Sequence, residues 1–300
     1  MTLTATGLTV EPVSPAIGAE ISGVDLACLN DEDFDAIEAA WYRHSALVFR
    51  EQRLSDADLI SFSRRFGELD PPPMNENGKT FVAEHPEIYV VSNVIGADGV
   101  AIGSLGAGEA VWHTDMSYLP EPPDASMLYA LEVPPEGGDT WVISMEAAVA
   151  AMPTRLVERV RGLQLKHDGT FNSGGYLRKG MVGTDDPTTS PGTPHPILCA
   201  HPVTGRATLY LGRRRNAYIV GLPLQESEAL LDELWSYATL PHNAYSHRWR
   251  VGDLLIWDNR STMHRRDPFA AQSRRVMHRT QIKGNLRPRP FEGTIASSLA

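Results

Sequence analysis

Residues 126–143 read SMLYALEV, then PPEGGD, then TWVI. The outer runs are short, apolar and rich in aromatic and β-branched residues, which suits strands. The middle carries paired prolines and paired glycines and reads as a turn. Taken alone, Gly137-Gly138-Asp139-Thr140 is a hairpin turn, with Thr140 opening the second strand. No segment of helical length separates the two runs. The same texture continues downstream, where residues 207–211, 253–257 and 275–283 are strand-like and 224–237 is an amphipathic helix. Strands with so few helices between them argue against a regular βαβ repeat and its parallel sheet. The expectation is a mainly β fold, an antiparallel sandwich or barrel with helices packed outside.

Upstream, Leu8, Thr9 and Val10 begin a first strand that Pro12 and Pro15 keep short. Asn30 or Asp31 caps a helix through His44, with Phe34, Ile37, Ala40 and Trp41 on one face. Residues 46–50 (ALVFR) and 88–94 (IYVVSNV) are strand-like, and Pro153 suits the first turn of a helix through Val160. Ser55 and Asp58 form a capping box ahead of Leu59, Phe62 and Phe66, with Gly67 a candidate C-cap. Residues 170–196 are rich in Gly, Pro, Ser and Thr and read as a long loop, a lid or mobile segment. No repeat and no clear linker interrupts the chain, so residues 1–300 are expected to form a single domain.

The formal net charge of −10 repels phosphate backbones, which speaks against general nucleic-acid binding and leaves room for a local basic pocket. Cys28 and Cys199 form neither a CxxC pair nor a disulfide framework, which fits a reducing cytoplasm. The N-terminal residues lack a basic stretch followed by an apolar core, and no apolar run is long enough to span a membrane. A cytoplasmic protein without membrane partners is expected. The oligomeric state stays open, a homo-oligomer included.

Chemistry concentrates in three further places. In Val111-Trp112-His113-Thr114-Asp115, residues two apart on an extended chain point to one side, so His113 and Asp115 can reach one metal. On its own an H-x-D tripeptide is more often a surface pair. His264 follows the apolar strand at 254–257 and is the candidate third ligand; alone it would be an ordinary loop histidine. Two imidazoles and a carboxylate make the facial triad used by non-haem iron, which leaves positions open for other ligands. Finally, Arg275, Met277, Arg279 and Gln281 share a face if the segment is a strand. Two inward arginines need anions, whereas on an edge strand both would lie in solvent. The hydroxyl of Thr140 is placed to donate to a bound carboxylate.

In order and spacing these motifs resemble the TauD/TfdA family of Fe(II)/2-oxoglutarate dioxygenases. The stretches that carry the likeness are IGAEISGVDL, FSRRFGELD, WHTDMSY followed by PP, GGDT, HPVTGR, WDNRSTMHR and RRVMHRTQIKG, between Ile17 and Gly284. The resemblance implies a double-stranded β-helix (jelly-roll) core. It implies iron on His113, Asp115 and His264, and the distal carboxylate of 2-oxoglutarate on Arg275 and Thr140, with O2 as the second co-substrate. Arg279 then becomes the candidate for a substrate anion. Asp115 argues for hydroxylation, since related halogenases replace the carboxylate with a small residue. Where members acting on taurine carry a histidine and an asparagine, this chain has Pro72 and Glu109. That moves the expected substrate from taurine towards another small or medium organic anion, a carboxylate or sulfonate. Glu109 is a candidate for a substrate amino group, against the plainer reading of a solvated glutamate. Arg213-Arg214-Arg215 reads as a solvated charge run and stands next in line for the anion. Two competing readings remain at this point: a zinc-dependent hydrolase on the same three ligands, and a non-catalytic 2-oxoglutarate-binding protein on the same fold.

Overall fold

The structure is a computed structural model that describes residues 2–3, 7–72, 80–108, 110–184 and 186–295. Helix α1 (Asp31–His44) begins where the Asn30 side chain accepts from the Asp33 N–H at 2.8 Å. Acidic residues fill its first turn and Arg43 and His44 its last, the order that the helix dipole favours. Its buried face is Phe34, Ile37, Ala40 and Trp41. Helix α2 (Asp56–Arg64) carries the Ser55–Asp58 capping box but ends at Arg65, so Gly67 lies beyond the cap instead of forming it.

The strands that frame the site are, in chain order, β1 (Thr9–Pro12), β2 (Ala19–Ser22), β3 (Ala46–Phe49), β4 (Tyr89–Ser92), β5 (Ala110–His113), β6 (Ala125–Glu132), β7 (Thr140–Ser144), β8 (Ala244–His247), β9 (Leu254–Asp258), β10 (Thr262–Arg266) and β11 (Val276–Ile282). Among the described residues they form two sheets. One has nine strands and contains β1-β2-β3-β9-β6-β11-β4 in that order; the other is β8-β7-β10-β5. The pairing is antiparallel, apart from β2 with β3 and β4 with the short Ser104–Leu105 strand.

The inner faces meet across Val48, Val91, Leu128, Val142, Leu255, Trp257 and Met277. The outer face of the large sheet, with Phe49, Met127, Ile256 and Ile282, is covered by Ile37, Trp41, Leu59 and Phe62 of α1 and α2. Ile143 and Met263 turn the other way and pack under α3 (Met145–Ala151), α4 (Thr154–Val160) and α5 (Leu224–Ala238). This is a double-stranded β-helix with flanking helices, the jelly roll expected.

The hairpin reading of Gly137-Gly138-Asp139 fails. β6 is paired on one side with β9 and on the other with β11, so it has no free edge for β7. The chain instead crosses from one sheet to the other, with Gly137 and Gly138 at φ +74 and +70. A Cβ on Gly137 would lie 2.6 Å from the Pro268 carbonyl oxygen, so the crossing also needs a bare backbone.

Other elements escape a reading from sequence: α3, which Ser144 caps, and strand β10, which carries His264. The extended stretch expected at 111–115 is strand only in β5, and Asp115 lies in the turn beyond it. The 170–196 segment is largely irregular, as expected, but its end, Pro194–Pro196, pairs with Gln164–Lys166. No helix among the described residues is long and apolar enough to cross a membrane.

Candidate active site

Strands β5 and β10 run side by side with His113 opposite His264, and their ring centroids are 4.1 Å apart. Asp115 returns to the same point: its Oδ1 lies 3.6 Å from His113 Nε2 and 3.8 Å from His264 Nε2. One candidate ligand atom from each residue falls within 4.8 Å of the others, and all three residues are buried.

The surroundings prepare these groups to coordinate. His113 Nδ1 stands 2.7 Å from the Val111 carbonyl oxygen, a contact that needs the proton on Nδ1 and leaves the Nε2 lone pair facing inward. Ser126 Oγ donates to Asp115 Oδ2 at 2.7 Å, and Arg279 Nη2 approaches the same oxygen at 3.0 Å. Burial pushes the Asp115 carboxyl up, but Arg279, His264 and His113 together outweigh it and hold the group well below the usual carboxylate range. Burial, then His113, holds His264 well below its ordinary value and therefore neutral. Two imidazoles and one carboxylate on one side of a point fit a borderline divalent metal with open positions.

Just before β11, Arg275 lies deeper. It is 1% exposed, and none of its three guanidinium nitrogens has a hydrogen-bond partner among the described residues. The Trp249 ring centroid is 6.0 Å from Arg275 Cζ. Burial, then Arg266, pushes this guanidinium down to about 9. A cation in that setting is unfavourable until an anion meets it. Thr140 is buried close by, and its Oγ1 accepts from Trp249 Nε1 at 3.0 Å, so its own proton is left to donate elsewhere. The pairing order explains the inward aim. Met277 belongs to the core between the sheets while Val276 and Ile282 belong to the outer one, so Arg275, Met277, Arg279 and Gln281 share the inner face.

Arg279 also faces inward, but it is not free. Nη2 serves Asp115 and lies 3.3 Å from Ser126 Oγ, while its buried Nε has no partner among the described residues. Glu109 lies outside the described residues. The Arg213 to Arg215 run does not behave as one solvated cluster. Arg214 pairs with Glu228 and Asp232 of α5 at 2.7 Å each, and Arg215 lies 3.4 Å over the Phe171 ring. Arg213 turns into a cavity of about 610 Å³ that His113, Asp115 and Arg279 also line.

Sequence reasoning missed Ser126, Trp249 and Arg266 as neighbours of the site. Arg266 had a signal: it stands two residues after His264 and opposite Thr140 in register. Ser126 and Trp249 had none, because their partners come from other strands.

The Taurine catabolism dioxygenase TauD, TfdA family matches residues 9–281. The chain is 32% identical over 292 residues to the (S)-phenoxypropionate/alpha-ketoglutarate-dioxygenase of Sphingobium herbicidovorans, covering 92% of this chain and 95% of that protein. It is 34% identical over 276 residues to the alpha-ketoglutarate-dependent 2,4-dichlorophenoxyacetate dioxygenase of Cupriavidus pinatubonensis, covering 89% and 95%. The crystal structure of a taurine dioxygenase from Burkholderia xenovorans superposes with a TM-score of 0.76 at 32% identity, covering 96% of this chain and 94% of that one. With a jelly roll, a His-Asp-His cluster at its heart and these relatives, the chain belongs to the TauD/TfdA family and is an oxidoreductase, a dioxygenase that uses Fe(II), 2-oxoglutarate and O2.

Proposed function

We propose that the chain hydroxylates a C–H bond of a small or medium organic anion, a carboxylate or sulfonate of the aryloxyalkanoate kind included. In this reading His113, Asp115 and His264 hold the iron, and Arg275 with Thr140 holds the distal carboxylate of 2-oxoglutarate. One observation carries it: a fully buried arginine without a hydrogen-bond partner shares an interior with a cluster of metal-binding character. A zinc hydrolase would have no use for that arginine.

When bound, iron and 2-oxoglutarate supply the oxidising power. The protein's share is position and exclusion of water. Ser126 and Arg279 occupy the outer oxygen of Asp115, which fixes the carboxylate and directs its other oxygen to the metal. The free Nε of Arg279 is left for the substrate anion. Asn172, Ser173, Leu177 and Arg178 line the cavity, so the segment that contains them acts as a lid over the substrate. Glu109 is proposed to meet a substrate amino group where one is present. If the oxidised carbon carries O, N or S, the hydroxylated product falls apart and the outcome is bond cleavage. A reducing cytoplasm, with Cys28 and Cys199 unpaired, is part of the same reading.

The test is oxygen-dependent succinate formation with Fe(II), 2-oxoglutarate and a panel of aryloxyalkanoates, sulfonates and amino-acid derivatives. An anaerobic absorption spectrum of the Fe(II) and 2-oxoglutarate complex accompanies it. A visible charge-transfer band and coupled succinate are expected with at least one anion. Activity that survives replacement of iron by zinc without oxygen would overturn the reading.

A further inference from the structure

The cavity beside the His-Asp-His cluster has cationic side chains on two walls. Arg279 comes from the large sheet, and its Nη2 is engaged by Asp115. Arg213 comes from the opposite side, where it forms an antiparallel bridge with His113 itself. Arg213 Nη1 donates to the Phe171 carbonyl at 2.6 Å, but its Nε is buried and has no hydrogen-bond partner among the described residues. Burial, then Arg178, pushes this guanidinium down to about 10. Arg178 is occupied: its Nε donates to the same carbonyl at 3.2 Å and its Cζ lies 4.6 Å over the Tyr118 ring. The acidic residues lining this cavity are Asp70, Glu87 and Asp115, and no ion pair joins any of them to Arg213 among the described residues. A buried donor on a guanidinium is expensive to leave unmet.

We infer that Arg213 binds the anionic group of the primary substrate, facing the free Nε of Arg279 across the cavity, and so sets selectivity for carboxylates, sulfonates or sulfate esters. This rests on the organic-anion reading given above. An anion held from two sides of the cavity is fixed next to the metal-binding cluster, and that fixes which C–H bond faces it. A planar guanidinium suits such a group better than an ammonium does.

The test measures binding without turnover, by calorimetry on the protein loaded with Mn(II) and N-oxalylglycine. The probes are 2,4-dichlorophenoxyacetate, (S)-2-phenoxypropionate, hexanesulfonate and hexyl sulfate, with 2,4-dichlorophenoxyacetamide as the neutral control. Arg213→Met is expected to weaken the best-bound anion about tenfold or more, as loss of a charged hydrogen bond requires. It should leave the amide and N-oxalylglycine unchanged, and Arg213→Lys should recover part of the loss. Three results overturn the inference. Arg213→Met binds the anion as wild type does. Or both variants lose N-oxalylglycine as well, which makes Arg213 a strut for the Phe171 segment. Or wild type binds none of the four anions, in which case the organic-anion reading falls too, a failure visible before any variant is made.

Discussion

Asp115 divides its two oxygens: one faces His113 and His264, the other receives Ser126 and Arg279. On the proposed assignment, removing the carboxylate therefore deletes a metal donor and strands a buried guanidinium together. Asp115→Ala and His264→Ala are expected to abolish turnover and to lose Fe(II) affinity in an equilibrium titration. Near-normal iron-dependent activity in either would sink the metal assignment. Arg275→Ala removes a buried partner for a carboxylate, which is worth about 2 to 5 kcal/mol. Its 2-oxoglutarate affinity should fall accordingly in an anaerobic spectral titration, with Fe(II) affinity kept. Much at this scale was legible because strand alternation is local. Met277, Arg279 and Gln281 share a face by the pleat, and Arg275, just before the strand, continues it, whereas Asp115 reaches His113 through the turn beyond the strand end. What stayed hidden was occupancy. That Arg279 is tied to Asp115, and that Arg213 turns inward while Arg214 turns to α5, depends on strands far away in the chain.

The turn between β9 and β10 places His264, and a buried ion pair builds it. Asp258 accepts from Arg260 Nη2 at 2.7 Å and lies 2.9 Å from His201 Nε2. Burial alone would push this carboxyl up, but Arg260 and then His201 outweigh it and hold it far below the usual range. The sign follows from linkage. The unfolded carboxyl titrates near about 3.9, so the stabilisation is fully present above that pH. It is lost as pH falls from there towards the depressed folded value. Asp258→Asn leaves Arg260 with Asp124 alone, 3.6 Å from its Nη1, and should cost about 2 to 3 kcal/mol at neutral pH. Urea unfolding should show the gap between variant and wild type shrinking at pH near about 3, within that window. A constant gap would mean the pair is not what the turn rests on. The elements themselves were readable where caps announce them, as Asn30 and Ser55 do. The Gly137-Gly138 crossing was misread because turn residues mark a change of direction without saying which sheet the chain enters next.

Across the whole molecule, alternation could identify strands and an antiparallel class but not neighbours. The order β3-β9-β6-β11-β4 brings together residues separated by most of the chain, and no local pattern encodes it. That order is also what buries Arg275 between the sheets, and it gives the site a thermodynamic cost. A guanidinium out of water with no hydrogen-bond partner destabilises the ligand-free fold, and on the proposed assignment the co-substrate's carboxylate offsets this when bound. Stability and function should therefore part at this residue. Arg275→Met keeps most of the volume and removes the buried charge, so the ligand-free variant is expected to melt at or above the wild-type temperature, by about 1 to 4 kcal/mol in its favour. With Mn(II) and N-oxalylglycine the order should reverse. At about 100 times its dissociation constant a ligand adds about 2.7 kcal/mol to wild type, whereas the variant should gain from the metal alone. Thermal melts of both proteins, each with no addition, with metal, and with metal plus analogue, separate these contributions. If the ligand-free variant is clearly less stable than wild type, Arg275 is a structural member of the core. The lack of hydrogen-bond partners at its guanidinium would then not mark an anion site.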